Sequence, residues 1–350
     1  MNENKVIDFL NSIGTDDNLI IIFHNDADGI AAAALMSIFL KKQPGLDAYL
    51  ISQPMPIDKN LLQKIKLSLP TKIIFLDLAI DQDMETLKKI SGFSNVLIID
   101  HHQISRNVNG KNIIHYNPRF EKDVYQSCSY LVYKICSKMA DIKNRLWVAG
   151  IGIVGDYDFS DSMDIVNEIK NKYPGISGEP LLESKLGKAV NMISATRATK
   201  KLSSEEIVRI IERSGSLDEL MKNEDIIGSY RKMETEIAGV MVDFEKSSEK
   251  THGLILYNLR SAYNLRSPIS TKISEMFPDK LVVVYQNVGS RVKISARNQT
   301  NRFDVSAILK KAGRGMDALA GGHANAAGAT IKKEDWERFR KKLIKIVEEK

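Results

Sequence analysis

The chain has 350 residues, of which 43% are apolar and 27% are charged. This length exceeds what one hydrophobic core usually holds, and the composition is that of a globular protein rather than a disordered or fibrous one. The longest apolar runs, residues 19–23 and 30–36, are too short to span a bilayer, and the amino terminus lacks a secretory signal pattern. The cysteines Cys128 and Cys136 fit no CxxC pattern, so we expect buried thiols and a cytoplasmic protein without membrane association.

The net charge of +6 is divided unevenly along the chain. Residues 250–350 contain 20 Lys and Arg against 9 Asp and Glu, whereas residues 1–249 contain 30 against 35. An acidic amino-terminal part suits a site for cations, and a basic carboxy-terminal part suits a surface for polyanions such as nucleic acid. A lysine-rich surface that only maintains solubility would explain the charge equally well.

In chain order, the first part of the sequence alternates between short apolar segments and helical ones. The predicted strands are residues 19–24, 48–53, 72–76 and 95–100. The predicted helices are residues 29–40, 58–69, 82–90, 129–139 and 145–154. Short apolar strands separated by helices of this length predict an α/β domain with a parallel sheet that is covered on both faces.

The second part of the sequence begins with a helical pattern from about residue 181 to 247, in which residues 223–245 predict one long helix. Strands are then predicted at residues 253–257, 281–286 and 291–295, the last two joined by a hairpin turn, and helices at 305–311 and 334–349. We therefore expect three parts: a parallel-sheet domain (1–185), a helical linker (186–249) and a smaller mixed α/β domain (250–350).

A first group of acidic and histidine side chains follows the first predicted strand. His24, Asp26 and Asp28 alternate along the chain, and Gly29 permits a sharp turn into the next helix. Alternate residues of an extended segment share one face, and these groups have no Lys or Arg near them in sequence. A helix N-cap role would explain one of the aspartates but not all three side chains, so the pattern favours a cation site.

Three further groups are each ambiguous when taken alone. Asp77 ends the third predicted strand, where turn and cap residues are common. The run Asp100-His101-His102 ends the fourth, where one histidine could simply satisfy a backbone carbonyl. Asp156 and Asp158 follow an apolar segment of less certain type, and either could cap a turn.

Together the four groups predict a single site. Ligands of open α/β sheets collect at the carboxyl ends of the strands, where three of the groups lie. Oxygen donors with some nitrogen and no thiolate suit Mn²⁺ or Mg²⁺ better than structural zinc. Of the two, we expect Mn²⁺. Two such ions about 3.5–4 Å apart would share a carboxylate and activate a hydroxide for in-line attack on phosphorus.

The same residues carry a resemblance to a known family. The motifs HNDADG at 24–29, Asp77, Asp100-His101-His102 and Asp156 resemble those of the DHH phosphoesterase superfamily, and GGHANAAG at 321–328 resembles the signature of its DHH-associated C-terminal domain. This superfamily includes RecJ-type exonucleases, nanoRNases, cyclic dinucleotide phosphodiesterases and family II pyrophosphatases. The close HxDxDG spacing is most similar to archaeal RecJ-like exonucleases.

The resemblance implies a role for each matching residue. One ion would be held by His24, Asp26 and Asp77, and the other by Asp28, Asp77, His101 and Asp156. His102 would contact the scissile phosphate, and Asp100 would orient the neighbouring histidines. The substrate-binding residues of the second domain would be Arg297, Gly321, Gly322 and His323. The role of His24 is the least direct, because the first histidine stands further from the aspartates in the pyrophosphatase and nanoRNase pattern.

The sequence is compatible with three functions. The basic second domain, and a cleft between domains that would admit a single strand, favour an exonuclease acting on single-stranded DNA or RNA. The compact size favours small substrates instead: short oligonucleotides, 3′-phosphoadenosine 5′-phosphate or a cyclic dinucleotide. A non-catalytic scaffold in a replication or repair complex, with partner proteins there, is the third, and the intact set of six ligands argues against it.

Overall fold

The computed structural model describes residues 3–54, 58, 60–175, 180–300 and 302–349. The chain forms two compact units, Met1–Tyr230 and Arg231–Lys350. The first unit contains a five-stranded parallel sheet and the second a six-stranded mixed sheet, which confirms the predicted fold class. The expected division of the chain at residues 185 and 249 stays a prediction.

The sheet of the first unit consists of β1 (Leu19–His24), β2 (Tyr49–Gln53), β3 (Lys72–Leu76), β4 (Asn95–Ile99) and β5 (Ile113–Tyr116). Its order is β2-β1-β3-β4-β5, and every neighbouring pair is parallel. The central strands are nearly continuous runs of Ile, Leu and Phe because helices cover both faces of the sheet. The sequence pattern missed β5, whose four residues include a histidine and lie between polar segments.

The helices of the first unit are α1 (Glu3–Asn11), α2 (Ala27–Leu40), α3 (Leu61–Ser68), α4 (Met84–Ser91), α5 (Cys128–Met139), α6 (Leu146–Gly155), α7 (Met163–Lys172), α8 (Lys185–Thr199), α9 (Ser204–Arg213) and α10 (Leu217–Lys222). A further helix, α11 (Glu224–Ser247), contains the boundary between the two units. The predicted helix 58–69 is shorter in the structure, and one of its residues, 59, lies outside the described part of the chain.

Two apolar cores lie on opposite faces of the parallel sheet. On one face, Ile21 and Phe23 of β1 pack in the core that contains α2, α5 and α6. On the other face, Ile20 and Ile22 of the same strand pack with residues of α3 and α4. Helix α2 is buried along its whole length, because it contacts the sheet as well as α5, α6 and α9. This explains why its sequence is rich in alanine and lacks an exposed polar face.

Both edges of the parallel sheet are closed by side chains. At the β2 edge, the backbone N–H of Ser52 donates to a carboxylate oxygen of Glu205 on α9, at 2.6 Å. At the β5 edge, the N–H of His115 donates to Oδ1 of Asn109 at 2.8 Å, and Nδ2 of Asn109 donates to the His115 carbonyl at 3.3 Å. Asn109 therefore takes the place that a neighbouring strand would occupy.

The second unit contains the strands β6 (Glu249–Lys250), β7 (Leu254–Asn258), β8 (Leu281–Val288), β9 (Arg291–Arg297), β10 (Ala318–Gly322) and β11 (Ala326–Lys332), and the helices α12 (Arg266–Met276), α13 (Val305–Ala312) and α14 (Trp336–Glu348). The sheet order is β10-β11-β9-β8-β7-β6. The predicted hairpin between β8 and β9 is present; β7 and β8 pair in parallel, and the other neighbouring strands named here pair antiparallel.

The glycine-rich segment 321–328, where the sequence pattern predicts no strand, contains parts of two strands. It forms the end of β10 and the start of β11, which pair as an antiparallel hairpin with Gly321 opposite Gly328. Glycine disfavours strands by itself, so local propensity predicts only a turn here. Pairing of β11 with β9 supplies the ladder that propensity does not predict. In the described part of the chain, no helix combines the length and the apolar character that crossing a bilayer requires.

Candidate metal centre

The parallel sheet places three of the four sequence groups at one edge. His24 is the last residue of β1, Asp77 directly follows β3, and Asp100-His101-His102 follows β4. These three strands are neighbours and run in the same direction, so their carboxyl ends lie side by side. The fourth group lies at the end of a helix rather than a strand: Asp156 directly follows Gly155, the last residue of α6.

The turn from β1 into α2 depends on a glycine. A Cβ atom at Gly29 would lie 2.2 Å from the backbone oxygen of His24, so no larger residue fits without moving the chain. Asp26 is the N-cap of α2, and its Oδ1 accepts from the N–H of Gly29 at 3.0 Å. The cap role that sequence reasoning offered for one aspartate is therefore real, and Oδ2 of Asp26 still faces His24 Nδ1 at 2.8 Å.

Asp28 is fully buried in the first turn of α2, where two helices meet it. Its Oδ2 accepts from the N–H of Cys128 at 2.6 Å, and its Oδ1 accepts from the N–H of Ser129 at 3.0 Å. Both donors lie at the start of α5, where unpaired N–H groups and the helix dipole favour a negative charge. Gly152 on α6 makes room, since a Cβ there would lie 2.2 Å from Asp28 Oδ1.

Asp77 lies at the centre of the site. Its Oδ2 is 3.2 Å from His24 Nδ1, and its Oδ1 is 3.1 Å from His101 Nε2. Its backbone has a φ of +59°, in the left-handed region that aspartate and asparagine tolerate better than most residues. This conformation turns the chain sharply at the end of β3.

Three overlapping groups of side chains have the proximity needed to hold a metal ion. In each group, one ligand atom per residue lies within 4.8 Å of the others, and Asp77 belongs to all three. The groups are His24, Asp26 and Asp77; Asp28, Asp77, His101 and Asp156; and Asp77, Asp100, His101 and His102. The structure therefore brings together every residue that the sequence assigned to a metal, with Asp77 as the shared carboxylate.

Electrostatics show how unfavourable this arrangement is without a cation. Burial, together with the neighbouring negative charges of Asp28 and Asp77, raises the pKa of Asp156 to about 8. Burial and the charge of Asp26 likewise raise the pKa of Asp77 well above its usual range. Among the described residues, no Lys or Arg forms an ion pair with Asp28, Asp77 or Asp156. Buried carboxylates without cationic side chains fit bound divalent ions, which supply the missing charge.

His24 and Asp26 form a pair on the more open side of the site. Burial lowers the pKa of His24, but hydrogen bonds to Asp26 and Asp77 outweigh it and raise the value to about 10. Burial raises the pKa of Asp26, yet the hydrogen bond from His24 brings it to about 2. The proton on His24 therefore provides part of the positive charge that a metal ion would otherwise provide.

His102 and Asp100 form a second pair beside the ligand groups. Nδ1 of His102 lies 2.7 Å from Oδ1 of the buried Asp100. Burial lowers the pKa of His102, but the hydrogen bond to Asp100 outweighs burial, so the pKa is raised. The backbone of the two histidines is also held in place. Asn117 Nδ2 donates to the His102 carbonyl at 3.0 Å, and Arg119 Nε donates to the His101 carbonyl at 2.9 Å.

Tyr125 contacts the site and was not predicted from the sequence. Its hydroxyl donates to Oδ2 of Asp156 at 3.2 Å, and its ring centroid is 4.8 Å from that of His101. The backbone around it is fastened by acidic residues that follow α6, because the N–H of Tyr125 donates to Asp161 and the N–H of Ser127 donates to Asp158. Nothing in the local sequence distinguishes Tyr125 from other tyrosines. Asp158 thus holds a loop, whereas Asp156 faces His101 at 3.2 Å.

The residues assigned to substrate binding lie in the second unit. Arg297 ends β9, and its guanidinium donates to Ser267 Oγ at 2.9 Å and to Thr271 Oγ1 at 3.2 Å on α12. Gly322 has a φ of +134° and no room for a Cβ, whereas a Cβ at Gly321 would meet open space. His323 is exposed at the turn between β10 and β11. The side chains of Tyr257 and Phe303 are buried, so neither ring is open to stacking by a nucleic-acid base.

Comparison with known proteins agrees with this architecture. The model of the DHH family N-terminal domain matches residues 18–155, and the model of the DHHA1 domain matches residues 265–349. The chain therefore belongs to the DHH superfamily and carries a C-terminal DHHA1 domain. No curated protein sequence gives a significant match.

Solved structures show the same fold at low sequence identity. Exonuclease RecJ bound to manganese superposes with a TM-score of 0.69 at 13% identity, over 98% of this chain and 93% of that one. RecJ of Thermus thermophilus in complex with Mn²⁺ gives 0.69 at 12% identity, and this chain spans 55% of its length. A pGpG-specific phosphodiesterase of Vibrio cholerae gives 0.52 at 14% identity, over 94% of this chain and 98% of that one.

Proposed function

We propose that this protein is a two-metal phosphodiesterase, and that it hydrolyses single-stranded DNA or RNA from an end. The observation that carries the proposal is the sharing of Asp77 by every ligand group in the site. Because one oxygen of this carboxylate faces His24 and the other faces His101, Asp77 would serve as a ligand in both groups. The solved RecJ structures with manganese and with magnesium support Mn²⁺ first and Mg²⁺ second as the cations.

In this proposal each acidic group of the site has a separate task. One ion would be held by His24, Asp26 and Asp77, and the other by Asp28, Asp77, His101 and Asp156. When bound, the two ions supply Lewis-acid activation of water and neutralise charge that develops on the phosphate. His102, whose pKa is raised by its hydrogen bond to Asp100, donates a hydrogen bond to an oxygen of the scissile phosphate. Asp100 is a positioning residue, because it acts through the imidazole of His102.

The second unit binds the rest of the substrate in this proposal. Arg297, the imidazole of His323 and the backbone at Gly321 and Gly322 contact a phosphate of the strand. Support for Gly321 comes from its exposed position on β10, where packing does not demand a glycine. The excess of basic residues in this part of the chain supports a polyanionic substrate. Partner proteins of replication or repair are a further expectation.

A second candidate function is hydrolysis of small substrates: oligonucleotides of a few residues, 3′-phosphoadenosine 5′-phosphate or a cyclic dinucleotide. The similarity to the pGpG-specific phosphodiesterase favours it, because that protein and this chain cover each other almost completely. The cytoplasm suits either candidate, and the two buried free thiols support a reducing compartment.

The test is hydrolysis of end-labelled single strands, from dinucleotides to forty-mers, by the purified protein with Mn²⁺, alongside the mononucleotide and cyclic substrates. We expect Asp77→Asn to lose at least about 10³-fold in kcat/KM, because the bridging carboxylate is removed. Asparagine tolerates the left-handed backbone of this position, so the thermal midpoint should stay near that of the wild type. Full activity of Asp77→Asn would refute the two-metal proposal. A preference for the shortest oligomers would select the second candidate function.

A further inference from the structure

One group of basic side chains in the second unit takes no part in the site described above. We define the α13–α14 basic surface as Lys310, Lys311, Arg314, Arg338, Lys341 and Lys342. Five of these residues are exposed, and Lys342 is partly buried. None of the six forms an ion pair within 4.0 Å in the part of the chain that the structure describes. The acidic residues Glu337 and Glu349 of the same chain segment pair with Arg340 and Lys345 instead.

The surface is ordered by contacts between α14 and the turn that follows α13. Nζ of Lys342 donates to the carbonyl of Arg314 at 2.9 Å, and Nη1 of Arg338 donates to the carbonyl of Gly315 at 3.4 Å. Residues 338, 341 and 342 follow the spacing that places side chains on one helix face. These contacts bring Arg338 and Lys342 to the turn that contains Arg314, so the patch joins the end of α13 to α14.

Ordinary helix stabilisation explains only part of this pattern. Lys310 and Lys311 lie in the last turn of α13, where positive charge interacts favourably with the helix dipole. Arg338, by contrast, lies in the first turn of α14, where the same dipole disfavours a positive charge. A cation placed against the helix dipole, beside others that lack acidic partners, points to an external anion.

The patch and Arg297 lie on opposite faces of the second sheet. Val292, Ile294 and Ala296 of β9 pack in the same core as α13 and α14. Arg297 alternates with them and hydrogen bonds to α12 on the other face. The sheet and a helical layer separate the two positions, at about 10 Å per layer. A dinucleotide held at Arg297 therefore cannot reach the patch, whereas a long strand that passes the sheet edge can.

We infer that the α13–α14 basic surface binds the phosphate backbone of a single-stranded nucleic acid at a distance from its reacting end. The inference rests on the proposed function, because it assigns length preference to that same substrate. Lysine and arginine without aromatic partners recognise phosphates rather than bases, so the surface acts on strands of any sequence. Its contribution is therefore affinity for long strands, and it leaves the chemistry of cleavage unchanged.

The test uses the full chain with Lys310, Lys311 and Lys341 changed together to Gln. These side chains are exposed, so the variant should fold. The matched control changes Lys66, Lys88 and Lys111 to Gln, which removes the same charge near the amino ends of the strands in the first unit. We expect the first variant to bind a fluorescent thirty-mer about 10-fold more weakly. The salt slope, which is the decrease of log affinity with log salt concentration, should be smaller by about 2, because each phosphate contact on a single strand contributes about 0.7 to it. Its kcat/KM for a dinucleotide should match the wild type.

The outcomes separate this inference from the proposed function. If the variant of Lys310, Lys311 and Lys341 binds the thirty-mer with unchanged affinity and salt slope, the assignment of this surface to nucleic acid is wrong. An acidic protein would then be the alternative partner. An equal loss in the Lys66, Lys88 and Lys111 variant, or for the dinucleotide, would also overturn it. If the wild type hydrolyses no phosphodiester but the variant still loses affinity for the thirty-mer, the proposed function fails and the surface stands.

Discussion

At the scale of single residues, the site is organised by pairs in which one side chain fixes the state of another. Asp100 holds His102 at 2.7 Å and keeps its pKa raised, while Asp77 contacts the rings of His24 and His101 at 3.2 Å and 3.1 Å. Imidazoles that contact metals or phosphates usually need such partners to fix their orientation and protonation. Asp100 and Asp77 therefore hold the histidine rings beside them in place.

The Asp100→Asn variant tests this arrangement. We expect kcat to fall about 10- to 100-fold, because the amide cannot stabilise the protonated ring as the carboxylate does. Since the pKa of His102 is raised by Asp100, its loss should also move the alkaline limb of the pH–rate profile to lower pH. Metal content, measured by elemental analysis, should stay unchanged. A lower kcat with an unaltered pH profile would show that Asp100 acts only on the local structure.

At the scale of elements, close approach of α2, α5 and α6 positions Asp28. The start of α5 donates two hydrogen bonds to its carboxylate, and α6 passes beside it only because residue 152 has no side chain. A buried carboxylate held this way depends on the spacing of three helices, and not only on the sheet.

Gly152→Ala should therefore disturb both stability and the site. The added Cβ would lie 2.1 Å from Ser129 Oγ and 2.2 Å from Asp28 Oδ1, so we expect a loss of about 1–3 kcal/mol in the free energy of unfolding. Gly239→Ala in α11 is the control, because a Cβ there meets no atom within 4 Å. Removing a glycine from an exposed helix should stabilise the protein by about 0.5–1 kcal/mol. Equal thermal midpoints for the two variants would contradict the packing argument.

The sequence predicted most of these elements, and the failures have identifiable causes. Strands β1, β3 and β4 are apolar runs, and a helical segment follows β1 and β3, so periodicity and the four motifs placed Asp77 and the run 100–102 at one edge. The glycine-rich strands β10 and β11 were missed because pairing with β9, not propensity, forms them. Tyr125 was missed because contacts between loops that are distant in sequence leave no local pattern.

At the scale of the whole molecule, the free energy of unfolding of the metal-free protein depends on pH. Burial raises the pKa of Asp156 in the folded protein to about 8. Folding therefore takes up a proton at any pH between the ordinary pKa of aspartate and 8, and stability falls as the pH rises through this range. Burial lowers the pKa of His24, but its hydrogen bonds to Asp26 and Asp77 outweigh burial and raise the pKa to about 10. The stability that protonated His24 contributes is complete below about pH 6.5 and is lost as the pH rises toward 10. Both groups therefore make the metal-free fold less stable at alkaline pH.

We expect protein treated with a chelator to melt at a temperature about 4 °C lower or more at pH 8 than at pH 5.5. Addition of Mn²⁺ should remove most of this difference, because the ions replace the protons in the site. Proton release on metal binding, measured by calorimetry in buffers of different ionisation enthalpy, provides an independent readout. A chelated protein that is more stable at pH 8 would show that these groups do not govern its stability.

The closed edges of the parallel sheet have a consequence for how copies of this protein behave when concentrated. An open edge strand is a template on which another chain adds by backbone pairing, and this is a common start of aggregation and fibre growth. Here Glu205 accepts the N–H of Ser52 at the β2 edge, and Asn109 occupies both backbone groups of His115 at the β5 edge. A second molecule must displace these side chains before it can extend the sheet, so the edges that complete the scaffold of the site also oppose self-association.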